Sequence, residues 1–104
     1  MISDELAHKF RTTALERIER VEHAWEQVLS TLDDDASRVI QREIHTLKGE
    51  SQFVGESDVN VVCHKLEDLL DVILQGTKEE LEQAGRLLRE GGFAALHDLA
   101  GEID

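Results

Sequence analysis

The chain has 104 residues, 40% of them hydrophobic, which suits one domain with one compact core. Eleven Lys and Arg against 23 Asp and Glu give a net charge of −12, a surface that repels phosphate backbones and makes nucleic acid a poor partner. Proline and tyrosine are absent and good helix formers dominate, which argues against an all-β reading. The single cysteine, Cys63, allows no internal disulfide and fits a reducing compartment. It sits in an apolar run and reads as core packing. No apolar stretch reaches the length of a membrane span, and the acidic N-terminus is unlike a signal peptide. The expected location is cytoplasmic.

The first helix is predicted from about Ser3 to Leu32. Leu6, Phe10, Ala14, Ile18, Val21, Trp25, Val28 and Leu32 recur at steps of three or four, and Ser3 with Asp4 and Glu5 makes an N-terminal start. A helix of this length spans roughly 45 Å. Asp33, Asp34 and Asp35 form the turn and the cap of the second helix, about 35 to 54. Its inward positions are Val39, Ile40, Ile44, Leu47, Ser51 and Val54, and Gly55 stops it. Ser57 is predicted to cap a third helix, about 57 to 75, with Val59, Val62, Leu66, Leu69, Leu70 and Ile73 inward and Gly76 at its end.

Thr77 and Glu80 form a capping box for the fourth helix, about 78 to 100. Its stripe is Leu81, Ala84, Leu88, Ala95, Leu96 and Leu99, interrupted by Gly91 and Gly92. The 3.6-residue period stays in phase across the glycines, so one kinked helix is favoured over a separate short fifth. Short connections between four amphipathic helices predict an all-α, antiparallel up-down-up-down four-helix bundle forming a single domain, 1–104.

The chemistry concentrates on His45-Thr46-Leu47-Lys48-Gly49-Glu50-Ser51. His45 is one residue off the stripe through Ile44 and Leu47, which puts it at the solvent edge with Gln41, Lys48, Gly49 and Gln52 on its own face. Lys48 would set an ammonium beside an anion carried by the imidazole. Gly49 costs about 1 kcal/mol relative to Ala inside a helix, which suggests that a partner approaches the backbone there. Ser51 is small for an inward position and lets a neighbouring helix pack close. On the third helix His64 and Glu67 share a face with Asn60 and Asp71. Antiparallel packing could set Glu67 against His45, fixing the ring tautomer and leaving the other nitrogen nucleophilic. An ordinary surface pair is the plain alternative for His64 and Glu67.

His45, Lys48, Gly49 and Ser51 match the HxxKG-x-small signature of histidine phosphotransfer (HPt) domains. The run Cys63-His64-Lys65-Leu66-Glu67 resembles the third helix of the N-terminal phosphotransfer domain of CheA-type chemotaxis histidine kinases. The resemblance covers about Leu6 to Leu99. It implies that His45 is the phosphoacceptor, through the ring nitrogen distal to the backbone, and that Glu67 hydrogen-bonds the other nitrogen. Lys48 and His64 would support reactivity, and Gln41, Gly49 and Gln52 would meet partners. The chain departs from the family in carrying Val54 where Phe commonly precedes the glycine, with Phe53 one residue earlier, and in its polar Glu50 and Gln52.

The implied role is a phosphocarrier of a two-component or chemotaxis system. A histidine kinase catalytic domain, in cis or in trans, phosphorylates His45, and the phosphoryl group passes to an aspartate of a response-regulator receiver domain. No cofactor is expected in this chain, since ATP and Mg²⁺ belong to the partners and no Walker or Gly-rich phosphate loop is present. The rivals are an HPt module of a multistep phosphorelay, a bundle that is never phosphorylated, and a metal-binding bundle. The metal reading has one Glu-x-x-His, Glu5 with His8, and no second on an inward face. His8, His23 and His97 read as surface histidines without a role. The ending Gly101-Glu102-Ile103-Asp104 suits a cut at a linker, so a fragment of a longer kinase is expected.

Overall fold

The computed structural model describes residues 4–31 and 34–103. The expected cap Ser3, the end at Leu32 and the turn residue Asp33 lie outside the described residues. Five α-helices follow in order: α1 Asp4–Thr31, α2 Asp34–Val54, α3 Ser57–Ile73, α4 Lys78–Leu87 and α5 Ala94–Gly101. A π-helical segment, Leu88–Phe93, joins α4 to α5, so the last three pieces form one continuous helical arm. The result is the all-α antiparallel bundle expected from the stripes, 44 × 19 × 19 Å, with its long axis set by α1.

The core runs the length of the bundle. Ala14, Ile18, Val21, Trp25 and Val28 of α1 meet Ile40, Ile44 and Leu47 of α2, Val59, Cys63, Leu66 and Leu70 of α3, and Leu81, Leu88, Phe93 and Leu96 of the last arm. Cys63 is fully buried, and burial pushes its thiol up to about 12, which keeps it a small apolar filler rather than a nucleophile. Trp25 packs edge-to-face on Phe93, ring centroids 6.1 Å apart.

The turn between α2 and α3 is short and geometrically strict. Gly55 sits at φ +79, in the left-handed region that glycine enters without strain. Glu56 N–H donates to the Ser51 carbonyl at 2.8 Å and Gly55 N–H to that of Gln52 at 3.2 Å, the paired bonds of a Schellman cap. This turn returns α3 along α2 within two residues, which places His45 and the middle of α3 at the same height. The capping box at Thr77 and Glu80 is formed as expected, with both reciprocal bonds at 3.2 Å.

Several expectations need correction. Ser57 is the first residue of α3 rather than its cap; Glu56 holds the cap position and makes no side-chain cap bond. The helix ends at Ile73, where Gln75 and Gly76 donate three residues back and tighten the turn before Gly76 is reached. Leu69 is 46% exposed, because α3 turns Leu66 and Leu70 inward and leaves Leu69 on the flank. Leu6 is 37% exposed at the start of α1.

The largest departure is in the last arm. A constant 3.6-residue phase aims Ala95 and Leu99 inward after Leu88. The π turn adds one residue, so the stripe steps from Leu88 to Phe93, then to Leu96 and Ala100, all buried, while Ala95 and Leu99 are only partly covered. Gly92 makes this step fit: a Cβ there would stand 2.6 Å from Leu66 Cδ2.

Candidate functional site

The middle of α2 and α3 carries a three-residue polar cluster. His45 Nδ1 lies 3.0 Å from Glu67 Oε2, and Lys48 Nζ donates to Glu67 Oε1 at 2.8 Å. Each carboxylate oxygen therefore has one partner. The His45 side chain is 72% exposed, whereas Lys48 and Glu67 are 18% and 26% exposed. The imidazole projects into solvent from a half-buried ionic base. This arrangement follows from helix phase: Ile44 and Leu47 take the core, which leaves His45 on the outer edge and Lys48 on the edge toward α3.

The charge state of Glu67 decides the tautomer. The Lys48 hydrogen bond holds its carboxyl below the usual carboxylate range; partial burial works against this, and the His45 contact works with it. An ionised carboxylate only accepts hydrogen bonds. Nδ1 of His45 must then carry the hydrogen and donate it. In the neutral ring, Nε2 is left with a free lone pair on the solvent side.

Two further contacts brace the same seam. Asn60 Nδ2 donates to the Lys48 carbonyl at 2.9 Å, and the Ser51 hydroxyl donates to that carbonyl at 2.8 Å. Gln41 Nε2 donates to Asp71 Oδ1 at 3.4 Å near the other end. His64 is exposed one turn before Glu67 and joins no hydrogen bond or ion pair among the described residues. Gly49 and Gln52 are exposed on the outer face of α2, and nothing lies within 4 Å of where a Gly49 Cβ would be. Gly49 also lines a groove of about 360 Å³ with Leu6, Phe10, Phe53 and Val54. The one-residue departure at the end of α2 has a visible consequence: Val54 is buried and Phe53 is 82% exposed.

The Hpt domain family's sequence model matches residues 5–103. The chain belongs to the Hpt domain family. A gliding motility regulatory protein of Myxococcus xanthus is 25% identical over 75 residues, which are 72% of this chain and 10% of that protein. The chain thus spans about a tenth of the length of the curated relative it matches. No solved structure matches it significantly. Family membership gives this Hpt domain a phosphotransfer role in signalling, and Hpt domains work with histidine kinases and response regulators.

A second polar cluster of the Hpt domain escaped the sequence reading. Glu43 is buried on the α1 side of α2, 2.8 Å from Arg17, 3.4 Å from Arg20 and 3.6 Å from Arg42. Arg17 also reaches Glu50 at 2.8 Å, bridging two positions seven residues apart on α2. Burial pushes Glu43 toward its neutral form, and the Arg17 and Arg20 hydrogen bonds more than offset this, leaving its carboxyl below the usual range. The signal was present in the complementary spacings, Arg17 and Arg20 on α1 against Glu43 and Glu50 on α2.

Of the metal candidates, Glu5 and His8 are exposed on α1, and Glu5 pairs with Lys9 at 3.6 Å. Among the described residues no group of three His, Cys, Asp or Glu side chains could hold a metal ion. Among those same residues no helix is long and apolar enough to cross a membrane.

Proposed function

We propose that this Hpt domain carries a phosphoryl group on His45 Nε2 between a histidine kinase catalytic domain and a response-regulator aspartate. The observation that carries the reading is the contact of His45 Nδ1 with Glu67 at 3.0 Å on a ring that is otherwise open to solvent. The Nε2 lone pair attacks the γ-phosphorus of ATP held by the kinase. The bond to the bridging oxygen breaks and its electron pair leaves with ADP. No proton has to leave the nucleophile, because the ring enters neutral and takes up the positive charge itself. Glu67, still accepting from Nδ1–H, stabilises that charge. Lys48 holds Glu67 in place throughout. In the second step a carboxylate oxygen of the receiver attacks phosphorus, and the N–P electron pair returns to Nε2. ATP and Mg²⁺ belong to the partner sites in this reading.

The resemblance of the His64-to-Glu67 run to CheA-type kinases, and a relative described as a gliding motility regulatory protein, support a system that controls movement. The exposed row His45, Gly49 and Gln52, flanked by Gln41, is the surface that both partners would use in turn, which calls for weak, short-lived complexes.

The test is incubation of the domain with a chemotaxis-type kinase catalytic domain and Mg-ATP. The expected product is an acid-labile, base-stable phosphate that is absent from His45→Gln. Label that persists in His45→Gln overturns the assignment.

A further inference from the structure

The register between α2 and α3 decides whether Glu67 meets His45, and one residue outside the reacting cluster grips that register. Asn60 lies in the first turn of α3, two turns before Glu67 and on the same edge of the helix. Its Nδ2 donates to the Lys48 carbonyl at 2.9 Å and lies 3.4 Å from Ser51 Oγ. The Ser51 hydroxyl hydrogen already points at that carbonyl, at 2.8 Å, so both atoms facing Asn60 are acceptors. This fixes the amide with its nitrogen toward α2.

Lys48 is thus held by α3 twice. Asn60 takes its backbone carbonyl, and Glu67 takes its ammonium at 2.8 Å. The apolar seam of Ile44, Leu47, Cys63 and Leu66 sets how close the helices lie, but apolar contact is non-directional and tolerates axial sliding. A hydrogen bond to a backbone carbonyl does not. The rung on the far side, Gln41 to Asp71, is exposed and 3.4 Å long, so it restrains the slide less.

We propose that Asn60 is a positioning residue for phosphoryl transfer at His45: its grip on the Lys48 carbonyl sets the axial register that brings Glu67 to Nδ1. The inference rests on the reading of His45 given above. Asn60 touches no reacting atom and acts through Glu67 alone.

Two substitutions test it. Asn60→Ala removes the amide. Asn60→Asp keeps the shape but offers only acceptors, and the Ser51 hydroxyl can turn to it, so the fold survives while the grip on Lys48 is lost. The first readout needs no partner: ¹⁵N resonances of the His45 ring in the 104-residue chain. The unmodified domain should show the Nδ1–H form, and both variants should shift toward the Nε2–H form. The second readout is phosphorylation by the kinase domain, where kcat should fall about 3- to 10-fold, the rate equivalent of one neutral hydrogen bond, with KM unchanged. Val59→Ala, which thins the core one residue away, controls for stability and should leave ring resonances and kcat in place. Unshifted ring nitrogens in the Asn60 variants, or equal slowing by Val59→Ala, overturn the proposal. An unmodified domain that takes up no acid-labile phosphate breaks the His45 reading instead, and the ring resonances then decide the register claim by themselves.

Discussion

Helix α2 has a carboxylate-centred cluster on each edge, and the two are built for different ends. On the α1 side Glu43 is 6% exposed and ringed by the guanidinium groups of Arg17, Arg20 and Arg42. On the α3 side Glu67 is 26% exposed and divides its oxygens between Lys48 and a histidine. The first cluster is saturated, because every strong acceptor site faces a permanent cation. The second leaves one ring nitrogen unmatched and pointed at solvent. A carboxylate that ties down fixed charges holds helices together. A carboxylate that orients a ring with a free lone pair prepares a nucleophile.

The largest expected effect tests the α1 side. Arg17→Met leaves buried Glu43 short of its best partner and should destabilise the domain by about 3 kcal/mol, a drop in Tm of more than about 12 °C. Phosphorylation of the folded fraction should be unchanged. Thermal melts with transfer assays below the transition check both halves. A variant that melts normally but transfers slowly would erase the distinction between the clusters. The two carboxylates together set the acid limit. Glu43 and Glu67 have carboxyls held below the ordinary value of 4.5, so the stability they contribute is present above that value and lost as pH falls through their lower folded values. The fall should be shallower in Arg17→Met, because Glu43 then sits nearer its ordinary value in the folded state.

The converse test is Glu67→Gln. It should slow phosphorylation of His45 about tenfold, by removing the carboxylate that stabilises the charged ring, while changing stability by less than about 1 kcal/mol. A rate equal to that of the unmodified domain would make Glu67 an ordinary surface carboxylate. The smallest effect is at Gly49, where a Cβ meets nothing within 4 Å. Gly49→Ala should therefore raise stability by about 0.5–1 kcal/mol through helix propensity. It should also slow transfer, because the methyl group stands where a partner reaches past α2. Stabilisation without slower transfer would mean that the glycine is not kept for access.

Much of this was legible from local pattern. His45, Lys48 and Gly49 lie on one helix, and helix phase depends only on 3.6 residues per turn, so their common outer face could be read directly. Burial of Cys63 and Ser51 followed in the same way. Glu67 could be named from its place on the next helix, but not its 3.0 Å contact, which needs the Gly55 turn and the α2–α3 register together. Glu43 was missed because a single charged residue beside an apolar stripe looks solvated until the neighbouring helix supplies its cations. Phe93 was missed because one π turn shifts the inward phase by a residue, and no local propensity announces that step.

Local pattern alone specifies that amphipathic helices form, the glycine that ends α2, the capping box that starts α4, and the edge of α2 on which His45 stands. These are short-range matters, settled within a few turns of one helix. Only the tertiary structure decided which carboxylate meets the histidine, which is sealed among arginines, and where Gly92 lets the last arm press on Leu66. Those outcomes depend on the rotation and sliding of whole helices against each other. That is set by the core contacts together with the hydrogen bonds between helices, such as Asn60 to the Lys48 carbonyl, and no single segment encodes it.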